Sequence, residues 1–194
     1  QTLKVVAYHH LTLRGGAEAF GAITTVNGNL TLRGTASATL GANVSVGGDL
    51  NVSPSSGTLD LSTFTANRTA PGGTLTVASG ATLKIGGTGT LPANYTAHSI
   101  GATSMIEYYG SAQTVATLNS AQNYGNLTIS NSGTKTLAGS VSVTGTCLVN
   151  SPAMLDCGTF VVSGGTFTLS AGATLGIGDP AGITVSGASG SIQT

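Results

Sequence analysis

Residues 28 to 52, GNLTLRGTASATLGANVSVGGDLNV, are written again at 125 to 149 as GNLTISNSGTKTLAGSVSVTGTCLV, 97 residues downstream and without a gap. Eleven of the twenty-five positions are identical. They include Leu30/Leu127, Leu40/Leu137, Val44/Val141, Val46/Val143 and Val52/Val149, the apolar positions a core needs. An internal repeat limits the fold sharply, because each copy must bury the same kind of face against its neighbours.

Within and beyond the repeat a shorter phrase recurs, Gly-x-Leu-x-Val: GNLTL at Gly28, GDLNV at Gly48, GTLTV at Gly73, GNLTI at Gly125, GTCLV at Gly145 and GTFTL at Gly165. Apolar residues two apart after a glycine describe a short strand with one face in a core and the other in water. The phrases return at spacings of about 20 residues, the length of one turn in the shorter solenoid classes. Turns lack a regular Asn-Gly or Asp-Gly hairpin signal. These features predict an all-β parallel β-solenoid of roughly 8 to 10 short rungs, about 4.8 Å apart. A meander also turns about every ten residues, so β-sandwich modules remain the alternative.

The second half of the repeat continues with slips. LDLSTF at Leu59 matches LDCGTF at Leu155, and GGTLTVASGATLKIGG at Gly72 matches GGTFTLSAGATLGIGD at Gly164. GSAQT at Gly110 returns as GSIQT at Gly190, and the chain opens on Gln1-Thr2. The expected organisation is one continuous solenoid over 1–194, with modules of about 1–112 and 113–194. It reads as a mature product or an excerpt of something longer.

Charged residues are only 6% of the chain, Gly numbers 30, and formal net charge is zero. No basic stripe is available for phosphates, which argues against nucleic acid. Lack of net charge removes the self-repulsion that opposes association. No apolar run approaches the 18 to 20 residues of a membrane helix, so no membrane insertion is expected.

Cys147 falls on Leu50 of the first copy and Cys157 on Leu61, both inward positions about half a rung apart. This predicts a buried Cys147–Cys157 disulfide and an oxidising, extracellular setting, against two inert thiols. Residues 92–109 have no good second copy and hold Tyr95, His98, Tyr108 and Tyr109. They either fill a widened core or form an exposed patch for carbohydrate stacking or subunit docking. His9 and His10 stand where the second copy has Gly125 and Asn126, so a surface or turn role is expected in place of a metal role.

No enzyme is expected, and no cofactor or metal. The acids Asp49, Asp60, Asp156 and Asp179 fall in separate rungs, and no Gly-x-Ser-x-Gly, His-Glu-x-x-His or Walker phrase occurs. A polysaccharide-degrading reading would need clustered carboxylates. An ice-binding reading would need flat Thr ranks on successive rungs, whereas Thr74/Thr76 and Thr166/Thr168 stand in different modules.

The phrases YYGSAQTV, YGNLTISNSGTKTLAGSVSVTG and SGGTFTLSAGATLGIG resemble the degenerate repeats of large secreted bacterial surface proteins, the adhesin and filamentous-haemagglutinin-type parallel β-helices. That resemblance implies secretion, a cell-surface or extracellular place and a structural or adhesive role. It carries no catalytic residues. Both termini read as strands without a cap, through Gln1, Thr2 and Leu3 at one end and Ser191, Ile192, Gln193 and Thr194 at the other. Uncapped solenoid edges continue in the same chain or stack on another copy. The expected function is therefore a rod segment or subunit of an extracellular filament with itself as partner; a module binding a surface glycan is the alternative.

Overall fold

The structure is a computed structural model that describes residues 3–53, 57–119, 121–178, 183–184 and 192–193. It is a parallel β-solenoid of about eight turns with no helix among the described residues. The first turn contains β1 (Leu11–Arg14), β2 (Ala17–Ala19) and β3 (Thr25–Val26), and the second β4 (Leu30–Arg33), β5 (Ser37–Thr39) and β6 (Ser45–Val46). The third has β7 (Leu50–Val52) and β8 (Thr58–Asp60), and the fourth β9 (Gly72–Val77) and β10 (Thr82–Ile85). The fifth has β11 (Tyr95–Ile100), β12 (Met105–Tyr108) and β13 (Gln113–Val115). The later turns hold β14 (Asn126–Ile129) and β15 (Thr134–Leu137), then β16 (Val141–Val149) and β17 (Met154–Asp156), then β18 (Val162–Leu169) and β19 (Thr174–Gly176). Two short strands follow, β20 (Ile183–Thr184) and β21 (Ile192–Gln193).

Every strand pairing among the described residues is parallel, which excludes the sandwich. A main sheet runs β2-β5-β8-β10-β12-β14-β16-β18-β21-β20 along the rod. A first sheet, β1-β4-β7-β9-β11, lines the early turns, and a late sheet, β13-β15-β17-β19, lines the later ones. A ribbon of β3 and β6 closes the early cross-section.

Alternation along strands such as β1, β7, β8 and β10 sorts their side chains. In β1, Leu11 and Leu13 are buried while Thr12 and Arg14 are exposed. Parallel register then piles like on like. Leu11, Leu30, Leu50 and Leu75 form one column of the first sheet. Ala38, Leu59, Leu83, Ile106, Leu127 and Cys147 form another in the main sheet. Each fully buried leucine contributes roughly 2 kcal/mol of transfer free energy, so these columns hold the turns together.

The glycine of the Gly-x-Leu phrase is needed where one turn passes over the next. A Cβ on Gly48 would lie 2.1 Å from Asn29 Oδ1, and one on Gly165 would lie 1.8 Å from the Gly145 carbonyl oxygen. The neighbouring Asn or Asp completes the corner. Asn29 Oδ1 accepts from the Asp49 N–H at 2.9 Å, Asp49 Oδ1 from the Thr74 N–H at 2.8 Å, and Asn126 Oδ1 from the Thr146 N–H at 2.9 Å. His10 belongs to the same set, its Nδ1 accepting from the Asn29 N–H at 2.9 Å. It thus does at its corner what Asn126 does at the other.

The two copies of the repeat stand on different faces. Leu30 is in the first sheet and Leu127 in the main sheet; Leu59 is in the main sheet and Leu155 in the late sheet. The same holds for Gly72–Val77 against Val162–Leu169. Local geometry is nevertheless kept. Ser62 and Gly158 both have φ 53°, and the Phe64 N–H bonds to Leu61 O as the Phe160 N–H does to Cys157 O, at 2.9 Å each. Each copy therefore carries strand and corner instructions, and its face follows from how much chain has been wound before it.

A Cβ on Gly47 would lie 2.0 Å from the Asn27 carbonyl oxygen, a backbone atom of the preceding turn. Gly47→Ala should lower stability by about 2 kcal/mol, read as a lower urea midpoint at unchanged slope. An unchanged midpoint would contradict the tight stacking at this corner.

Candidate functional site

The densest ionisable cluster on the outside is a ladder on the main sheet. Asp60, Lys84 and Glu107 occupy one register position on β8, β10 and β12. Lys84 Nζ lies 3.2 Å from Glu107 Oε2 and 5.0 Å from the centre of the Tyr109 ring. The Tyr109 hydroxyl donates to Asp60 Oδ1 at 2.6 Å, and the Ser130 hydroxyl to Glu107 Oε1 at 2.6 Å. Burial, then the hydrogen bond to Asp60, pushes the Tyr109 phenol up. Alternating sign along the stack removes the repulsion that like charges in register would create. The ladder is mutually satisfied, and its chemistry is that of a register lock.

The other polar residues that matter are inside. Gln113 and Lys135 occupy the inward position of the late sheet that Leu155 fills one turn later. Lys135 is fully buried, and its Nζ donates to the carbonyls of Ser130, Asn131 and Ser132 at 2.6, 3.0 and 3.1 Å. An ammonium has three donors, and all three are used. Burial pulls its pKa below the ordinary value. Gln113 accepts from the Gly110 N–H and donates to the carbonyls of Ile85 and Gly89. Lys135 aligns with the buried Ala38 of the first copy, a signal that sequence reasoning passed over.

The tyrosine stretch is core. Tyr95 is 3% exposed and Tyr108 fully buried, so neither forms the external stacking patch that was one of two expectations. Large rings are needed here because the first sheet ends at β11 while the late sheet begins at β13. The Tyr95 hydroxyl donates to Ala66 O at 3.1 Å. The Tyr108 hydroxyl accepts from the Ala116 N–H at 3.2 Å and lies 3.4 Å from that of Tyr124. Burial raises all three phenols. Tyr109 alone is half-exposed, and it is committed to the outer ladder.

The edge of β11 is closed by side chains. The Ile100 N–H donates to Gln122 Oε1, Asn119 Nδ2 to Tyr95 O, and the Asn119 N–H to His98 Nδ1 at 2.8 Å. His98 is buried in the Leu75 column and also withdrawn from any external patch. A cleft of about 290 Å³ lies beside this closure, lined by residues including Leu118, Gln122, Tyr124 and Val141.

Cys147 and Cys157 are both buried and both free thiols, in contrast to the expected disulfide. Cys147 stacks between Leu127 and Phe167 in the main sheet, while Cys157 follows Asp156 at the end of β17. Each fills a leucine position as a small apolar group. Burial pushes their pKa values to about 12 and about 11, with Cys157 adding to the shift at Cys147 and Asp156 to that at Cys157.

Of the terminal residues expected to self-associate, the structure describes Leu3, Ile192 and Gln193. Gln1, Thr2, Ser191 and Thr194 lie outside the described residues. Leu3 is half-buried against the core, and no strand forms over 3–7. Ile192 is fully buried, with Gln193 beside it in β21, between β18 and β20 in the main sheet. The described strand edge at the first turn is that of β1, which has β4 on one side and no strand on the other. The Leu11 N–H bonds to Asn29 O at 3.0 Å, so the backbone groups of Thr12 point to the open side.

Among the described residues, no group of three metal-ligating side chains occurs and no helix is long and apolar enough to cross a membrane. Neither a protein-family model, nor a curated protein, nor a solved structure matches the chain.

Burial holds the His98 pKa below 6.5, since a charged imidazole loses its hydration there and a protonated Nδ1 cannot accept from Asn119. The unfolded state then binds the proton more readily. The stability from His98 should be complete above pH 6.5 and decline as pH falls through the lower folded value. Denaturant midpoints measured against pH should show this decline in the native chain and lose it in His98→Gln; an equal decline in both would contradict it.

Proposed function

We propose that this chain is a structural rod segment of an extracellular or cell-surface filament, continued by stacking of solenoid ends in a homopolymer or a tandem array. The open edge of β1 carries this reading, because it offers the same parallel hydrogen-bonding pattern that joins every turn to the next. Eight turns at one strand spacing give a rod of about 40 Å. Two further features support it: a surface without net charge to oppose contact, and the likeness of the repeat phrases to those of secreted bacterial surface proteins. A head-to-tail contact of this kind propagates and does not close.

The chain should form filaments in negative-stain electron microscopy, with an axial repeat near the rod length. Thr12→Pro removes one donor from the open side of β1 and leaves its bonds to β4 intact, so the variant should fold and stay short. Stable monomers of the native chain that bind a surface glycan would instead assign an adhesive module. Filaments unchanged by Thr12→Pro would show that assembly does not use this edge.

A further inference from the structure

We infer that the corner between the first and main sheets binds an acidic polysaccharide through Arg14 and Arg33. The two arginines are register partners on β1 and β4, so their guanidinium groups leave the rod one strand spacing apart, about 4.8 Å at the backbone. Both are exposed. Each is followed by a left-handed glycine, Gly15 at φ +67° and Gly34 at φ +65°, where an added Cβ would meet nothing within 4 Å. These bare turns leave a groove of about 350 Å³ lined by Arg14, Gly15, Arg33, Gly34 and Thr35.

The contrast with the remaining arginine is informative. Arg68 is spent on the fold: its Nε donates to Gly48 O at 3.2 Å and its Nη1 to Ala70 O. Arg14 and Arg33 make no ion pair and no side-chain hydrogen bond among the described residues. Like charges directly opposite in a sheet are destabilising, and the outer ladder of this same rod alternates sign to avoid it. A same-sign pair without a carboxylate between them leaves two planar forks for an external anion.

Guanidinium groups bind carboxylates bidentately. Two of them in line along the rod suit successive carboxylates on one extended polymer, with the Thr35 hydroxyl beside them for sugar hydroxyls. No aromatic ring lines the groove for base stacking, and the chain has no wider basic surface, which disfavours single-stranded nucleic acid. The inference goes beyond the filament reading and does not depend on it, because binding is measured on the chain itself whatever its state of assembly.

The test is calorimetric titration with hexagalacturonate at low salt, with maltohexaose as the uncharged control and a hexathymidylate as the competing polyanion. The native chain should bind hexagalacturonate and not maltohexaose. Affinity should fall about tenfold in Arg33→Gln and beyond detection in Arg14→Gln/Arg33→Gln, each lost charge-assisted pair being worth at least a factor of ten. Arg33→Lys should recover only part of it. In the absence of sugar, the double variant should unfold at a higher temperature than the native chain at low salt, which checks both its folding and the relieved repulsion. Equal affinity in native and double variant, or no binding by the native chain, would overturn the inference. Equally tight binding of hexathymidylate would overturn the assignment to polysaccharide.

Discussion

Every part of this molecule depends on parallel hydrogen bonding between one turn and the next. It requires that each residue lie one strand spacing from its counterpart, and the corners bear the consequence. Gly47, Gly48 and Gly165 stand where a side chain would strike the turn before it. Asn29, Asp49 and Asn126 supply the acceptors that corner amides of the next turn need. Inside, the same register converts an ordinary alternating strand into a column, so that burying one leucine commits the position above and below it to an apolar partner. Exceptions to the column rule are therefore conspicuous, and each has a specific polar solution.

Those exceptions cluster where the cross-section changes. The first sheet ends at β11, the late sheet begins at β13, and the chain between them must fill a wider core. Tyr95, Tyr108 and Tyr124 provide bulk with a polar end that reaches a backbone group or another phenol. Lys135 takes an inward position and uses its ammonium to satisfy three turn carbonyls, which makes a buried charge tolerable. His98 and Asn119 finish the exposed edge of β11 without another strand. The outer ladder of Asp60, Lys84 and Glu107 leads up to these turns and fixes the register of the third to fifth from outside.

Much of the architecture was legible because its signal is local. Leu-x-Val after a glycine specifies a short strand and a tight corner wherever it occurs, and the spacing of about 20 residues specifies a turn. The corner role of His10 followed from its alignment with Asn126. The face occupied by each copy was not legible. A displacement of 97 residues is four turns and part of a fifth only once the lengths of all intervening turns are known, and those range from the 20 residues between Leu30 and Leu50 to the 25 between Leu50 and Leu75. Burial of the tyrosines depends on that same change of phase. Two inward positions half a turn apart suit a bridge and also suit the two free thiols that the structure holds, and spacing alone does not separate them. Residues 3–7 have strand-like composition, yet no strand forms there, because composition alone does not supply a pairing neighbour.

The claim on which the rest stands is that Lys84 and Glu107, 23 residues apart, are direct neighbours on adjacent parallel turns. In a meander, β11 would lie between β10 and β12 and hold those side chains about two strand spacings apart. Zero-length carbodiimide coupling followed by peptide mass spectrometry separates the two arrangements. The solenoid predicts an amide between Lys84 and Glu107, formed under native conditions and lost on unfolding. Coupling of Lys84 to Asp49 or Asp156, with none to Glu107 or Asp60, would contradict it.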